Sequence, residues 1–183
     1  MSRFPRHATQ TQAAAINAVL KPGETYVCGW PGREARYRKV GSFLWCLLPS
    51  GRAICFPYPK VLEGEYGPQL TYMTVPGQDR SDIIDDPKNA NNWARVSTYG
   101  GALFNRIIQG MCRDLLVDAC LMPLDEAGGQ IVIHTHDDSV VEIDEPKAEA
   151  ARAAMQGMMR TVPAWAAGFP LHADVSVMRR YGK

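Results

Sequence analysis

The stretch IVIHTHDDSVVE, residues 131–142, sets two apolar runs on either side of an acidic tip. Ile131, Val132 and Ile133 are the branched residues that pleated strands favour, and Val140 and Val141 repeat the pattern after the tip. Between them stand His136, Asp137 and Asp138. Strand, tight acidic turn, strand predicts a β-hairpin with carboxylates at its end. Adjacent carboxylates repel, and burial raises their pKa by disfavouring the charged form. A divalent cation resolves the conflict by bringing positive charge to oxygen ligands. The plainer alternative is a solvated turn, because turns accept Asp readily.

Outward from the hairpin, Gly128-Gly129 breaks the chain on one side and Pro146 opens a helix on the other. That helix is expected to run to about Arg160, with Ala148, Ala151, Met155 and Met158 inward. Pro163, Trp165 and Pro170 mark a turn, and Leu171–Met178 reads as a final strand. Upstream of the double glycine, a long helix is expected from a cap at Ser97 or Thr98 to about Met122, before Pro123. Leu103, Ile107, Met111 and Leu115 recur every four residues as a buried stripe. Asn105, Gln109 and Arg113 recur at the same spacing as a second, polar stripe. Residues 8–20 predict a short Ala-rich helix and residues 25–60 several short strands. LTYMTV at 70–75 predicts another strand, and residues 76–92 a loop.

Composition is that of a globular chain. Of 183 residues, 46% are hydrophobic and 21% charged, which argues against disorder. No apolar run approaches the roughly 18 residues of a membrane-spanning helix. The N-terminus lacks the apolar core of a signal peptide, so a cytoplasmic protein is expected. Net charge is only +1, but residues 1–60 carry nine Lys/Arg against two Asp/Glu. Arg33, Arg36, Arg38 and Lys39 fall there, available for phosphate or merely solvated. Five cysteines without a C-x-x-C pair read as buried hydrophobes, not a disulfide or zinc framework.

STYGGALFNRIIQGMCRDLLVDA, from Ser97, followed by IVIHTHDDSVVE, resembles the C-terminal palm region of phage-type family A DNA polymerases. The matching positions are Thr98, Tyr99, Gly100, Gly101, Asn105, Gln109, Arg113 and Asp114. His136-Asp137-Asp138 stands where that family usually has His-Asp-Glu. The L-P-S-G-R run Leu48–Arg52 and the closing segment around Pro163-Ala164-Trp165 and Arg180-Tyr181-Gly182-Lys183 are similar too. The family's first metal-binding motif and its nucleotide-gripping helix are not in these residues. Phe104 replaces a Glu.

The resemblance implies an α+β palm-type segment: a small antiparallel sheet bearing the acidic tip, backed by two helices. Residues 1–183 are expected to form one such segment, with a β-rich part over 1–95. Helix, acidic hairpin, helix and C-terminal strand follow over 96–183. It implies magnesium-dependent nucleotidyl transfer onto a primer 3′-hydroxyl. Asp137 would be the metal ligand, Asp138 the second carboxylate and His136 a hydrogen-bond donor to the primer end. Asn105, Gln109, Arg113 and Arg52 would contact DNA, the amides by testing minor-groove acceptors present at every base pair. Primer-template DNA, deoxynucleoside triphosphates and a complementing polymerase chain are the implied partners, in a host cytoplasm. Two rival readings are a non-catalytic DNA-binding palm remnant and a metal-dependent hydrolase built on the His-rich tip.

Overall fold

The computed structural model describes residues 6–65, 67–75, 83–85, 93–126, 128–135 and 137–181. The chain forms two compact units, Met1–Gly110 and Met111–Lys183. It is a mixed α+β fold of antiparallel sheets and a few helices.

The first unit begins with α1 (Arg6–Leu20). Four strands follow as a meander: β1 (Thr25–Trp30), β2 (Arg33–Val40), β3 (Phe43–Leu47) and β4 (Ala53–Pro57). The turn between β3 and β4 is the L-P-S-G-R run. Gly51 N–H donates to the Leu48 carbonyl at 2.9 Å, and Leu48 N–H to the Arg52 carbonyl at 2.8 Å. Gly51 has φ +89, which explains why glycine follows the Pro-Ser pair. A second sheet has the order β5-β6-β8-β7, from β5 (Lys60–Gly64), β6 (Gly67–Thr74), β7 (Ile83–Asp85) and β8 (Ala94–Thr98). β7 corrects the reading of 76–92 as loop at 83–85; residues 76–82 and 86–92 lie outside the described residues. β5 and β8 carry no strong branched-residue signal and were not expected.

The core of this unit follows from alternation. Tyr37, Leu44, Cys46 and Phe56 point inward from the first sheet, and Leu70, Tyr72 and Val96 from the second. The Phe56 and Tyr72 rings meet edge to face at 5.2 Å between centroids. Helix α1 presents Ala8, Thr11, Ala15 and Ala18, all buried, so its backbone can approach closely.

Helix α2 (Gly100–Leu116) starts after β8 with only Tyr99 between them. Ser97 and Thr98 lie in the strand, so the expected cap is corrected. The Gly100 N–H instead donates to Gln12 Oε1 of α1 at 3.1 Å, and Gln12 Nε2 donates to the Pro68 carbonyl. A Cβ on Gly100 would collide with the Ala8 backbone carbonyl. Glycine is therefore required there for close approach of two helices, not for an unusual φ.

The expected helix end at Pro123 is also corrected. Val117–Leu121 forms a π-helical turn, Met122 N–H reaches back to the Val117 carbonyl, and α3 (Met122–Glu126) continues. Proline removes the usual i→i−4 bond and crowds that carbonyl. One wider turn absorbs both problems. Helix α3 then ends at the double glycine. Gly128 N–H donates to Asp125 and Gly129 N–H to Leu124, with Gly128 at φ +75. These are the paired bonds of a glycine C-terminal cap.

In the second unit, β9 (Gln130–His134) and β10 (Ser139–Glu142) form the expected hairpin. Helix α4 (Ala148–Arg160) follows a short 3₁₀ turn containing Pro146. Cys120, Leu124 and Met155 form the core, with Ile131, Val141, Met158 and Val175 packed on it. The hairpin is thus backed by two helices. The expected strand over 171–178 is corrected: the segment forms no ladder. Side chains replace a partner strand, since Arg160 Nε and Gln156 Nε2 both donate to the Ala173 carbonyl. No helix among the described residues is long and apolar enough to cross a membrane.

Two glycines give opposite predictions. Gly100→Ala should cost about 2–3 kcal/mol, the upper range for forcing atoms into a packed site. Gly157→Ala lies inside α4 with nothing near its Cβ and should stabilise by about 0.5–1 kcal/mol. Denaturant unfolding of each variant checks both signs.

The thiols give another prediction. Burial pushes the Cys46 thiol up to about 12 from its ordinary 9.0. Its contribution to stability is complete below pH 9.0 and is lost as pH rises through about 12. Cys112 is exposed, whereas Cys28, Cys46 and Cys120 are buried. Alkylation in the native state, read by mass spectrometry, should label Cys112 first and Cys46 only on unfolding.

Candidate functional site

The hairpin tip is built by register. Ser139 pairs with His134 and Val140 with Ile133, then Val141 pairs with Ile131, leaving Val132 as the extra residue of a bulge. Bulges bend a strand and re-aim its side chains. The bulge lets Ile131 and Val141 face the core together. Thr135 N–H donates to the Asp138 carbonyl at 2.9 Å and closes the turn.

Asp137 and Asp138 are both exposed. His136 lies outside the described residues. Among those described, no three His, Cys, Asp or Glu side chains gather closely enough to hold a metal ion. The tip therefore offers the right donor type for magnesium, carboxylate oxygen, but only part of a coordination sphere.

The base of the tip is held by a contact that sequence reasoning missed. The Cys120 thiol, in the π-helical turn, donates to Ser139 Oγ at 3.5 Å. Burial pushes this thiol up, partly offset by that bond. The same turn carries Asp118, whose Oδ2 accepts from the Trp165 indole N–H at 2.8 Å. Pro123 was the visible signal of the wide turn; nothing local signalled its partners.

An open cleft of ≈ 1640 Å³ in this unit is lined by Asp137, Asp138, Glu142, Met155, His172 and Arg180, among others. Small-molecule pockets are usually roughly 300–1,000 Å³. This cleft is larger than that range.

The polar stripe is real. Asn105, Gln109 and Arg113 are all exposed along α2, opposite buried Leu103, Ile107 and Leu115. Asn105 and Gln109 fall in the first unit and Arg113 in the second. Arg113 Nη1 stands 3.9 Å from Oδ1 of the buried Asp114, a loose pair that leaves its side chain 66% exposed. Arg52 is part-buried, and its Nη2 donates to the Gly110 carbonyl at 2.9 Å. It ties the L-P-S-G-R turn to α2 one residue beyond Gln109. Asp174 Oδ1 is engaged by Arg160 at 3.1 Å and faces His172 at 3.4 Å.

Among known proteins, the chain is similar to a bacteriophage DNA polymerase, in agreement with the resemblance of its motifs. That relative is the DNA polymerase of Bacillus phage SP02, 34% identical over 181 residues. The alignment covers 94% of this chain, and the chain spans about a quarter of the relative's length (24%). No family model matches the chain, and no solved structure matches it.

A lone acidic hairpin should bind divalent cations weakly. Titration with Mn²⁺, followed by proton relaxation of water, should give a Kd on the order of 1 mM. Asp137→Asn should remove most of that binding. Micromolar affinity, or binding indifferent to Asp137, would contradict the assignment of this tip.

Proposed function

We propose that this chain is the C-terminal palm part of a family A, phage-type DNA-directed DNA polymerase acting in DNA replication. The observation that carries the reading is the alignment of nearly the whole chain with part of a phage DNA polymerase. The acidic tip and the exposed amide stripe supply its chemistry. Residues 1–183 act as one palm segment in this reading. The substrates are primer-template DNA and deoxynucleoside triphosphates, and the setting is the cytoplasm of a phage host.

Asp137 is the magnesium ligand on this chain. Magnesium, once bound, supplies Lewis-acid polarisation of phosphoryl oxygens and charge neutralisation. Asp138 is the second carboxylate, placed near the primer terminus or a water. It is one methylene shorter than the Glu of the resembled motif, so its reach is less. His136 donates a hydrogen bond to the primer end. Asn105 and Gln109 test minor-groove acceptors, which tolerate any correct pair. Arg113 and Arg52 contribute positive charge toward the phosphate backbone.

Further carboxylate ligands and a nucleotide-gripping helix are needed. A complementing polypeptide, or a preceding part of a longer one, supplies them. Strand β9 supports this requirement. Its Val132 and Ile133 are 46% and 41% exposed, and β10 is its one ladder partner among the described residues. A near-continuous apolar strand is the pattern of one covered on both faces.

Primer extension with the complementing polypeptide tests the proposal. Asp137→Ala should lower the rate by at least about 10³-fold while DNA binding holds. Gln109→Ala should lower it about 10-fold and relax discrimination against mispaired primer ends. Synthesis that survives Asp137→Ala would remove the central assignment.

A further inference from the structure

The β1–β4 sheet has an outer face that the site above does not use. Alternation sends Tyr37, Leu44, Cys46 and Phe56 inward. It sends Arg36, Arg38, Phe43 and Trp45 outward, and all four are exposed. Phe43 and Trp45 lie 6.0 Å apart between ring centroids, and Phe43 and Tyr58 6.1 Å. The three rings form a continuous row. The arginines form a second row beside it, because Arg38 pairs with Trp45 and Arg36 with Leu47 across the β2–β3 ladder.

Tyr58 adds an independent observation. It is the one non-glycine residue at positive φ among those described, at +47. That left-handed conformation is disfavoured for a bulky side chain. Its N–H donates to the Ser42 carbonyl at 2.7 Å and its carbonyl accepts from Arg95 at 3.1 Å. The strained backbone holds a 53% exposed ring against Phe43 instead of burying it.

We propose that this face binds single-stranded DNA, with bases stacked on Trp45, Phe43 and Tyr58 and phosphates on Arg36 and Arg38. Aromatic rings serve every base, and adjacent cations follow the backbone. Charge favours this occupant over a polypeptide: residues 1–60 carry nine Lys/Arg against two Asp/Glu. The acidic residue on the same face of β2, Glu34, accepts the Gly32 N–H at 3.0 Å at the far end of the strand. The site is built from residues of the first unit alone and does not rest on the polymerase reading.

Polarisation of a fluorescein-labelled oligothymidine of about 12 nucleotides, titrated with the full chain, tests it. Binding should saturate and weaken as salt rises. Trp45→Ala should weaken it about 10-fold, and the double reversal Arg36→Glu with Arg38→Glu should weaken it and flatten the salt dependence. Lys147→Glu, on the other unit, should change nothing. Thermal unfolding confirms that each variant is folded. Absence of saturable binding, or wild-type affinity in both Trp45→Ala and the double reversal, overturns the proposal and leaves the face to a polypeptide. Nucleotide incorporation is not measured, so failure of the polymerase reading leaves this result intact.

Discussion

No side chain fits at position 100. The Ala8 carbonyl occupies the place a Cβ would take, and Gln12 from the same helix accepts the Gly100 N–H. This one approach fixes where α2 starts and how it is rotated. Rotation decides which residues face inward: Leu103 and Ile107 become core, and Asn105 and Gln109 become surface. The same helix runs on through the π-helical turn to the double glycine, where the hairpin begins. The exposure of Asn105 and Gln109 thus traces to a steric constraint at the start of their helix.

At the other end of that run the constraint is a missing N–H. Pro123 would break a regular helix, and the wide turn before it keeps the helix going. The turn also sets Cys120 against Ser139 and Asp118 against Trp165. Ser139 directly follows the two carboxylates. A local solution to one proline therefore supplies the anchor for the tip.

Much of this was legible because it is periodic. The hairpin showed itself by branched residues around an acidic turn, and α2 by two interleaved four-residue stripes. The double glycine ended α3 as its composition predicts, through a left-handed Gly128. What was not legible depends on distant partners. The cap of α2 comes from Gln12, 88 residues away, while Ser97 and Thr98 imitated a cap beside it. Strand β8 buries Ala94, Val96 and Thr98 in strict alternation, but small and polar residues hide that period. Residues 171–178 alternate like a strand, yet alternation reports only which side is covered. Whether a ladder exists depends on a neighbour, and here Arg160 and Gln156 fill that place.

The two exposed apolar surfaces differ in kind. Val132 and Ile133 of β9 are aliphatic and adjacent, and no cation lies between them, so an apolar cover would suit them. The outer face of the first sheet instead sets a row of rings beside Arg36 and Arg38, with exposed Val27, Val40 and Leu47 around them. Covering it with aliphatic side chains would strip water from Arg36 and Arg38 without giving them an acceptor, a cost of several kcal/mol per ion. A strand of DNA meets both demands at once, since each nucleotide brings a flat apolar ring and a phosphate at a fixed spacing. The composition of an exposed face therefore discriminates between covers. In the proposed readings, polypeptide covers aliphatic β9, and a polyanion with bases covers the face that carries the rings and arginines.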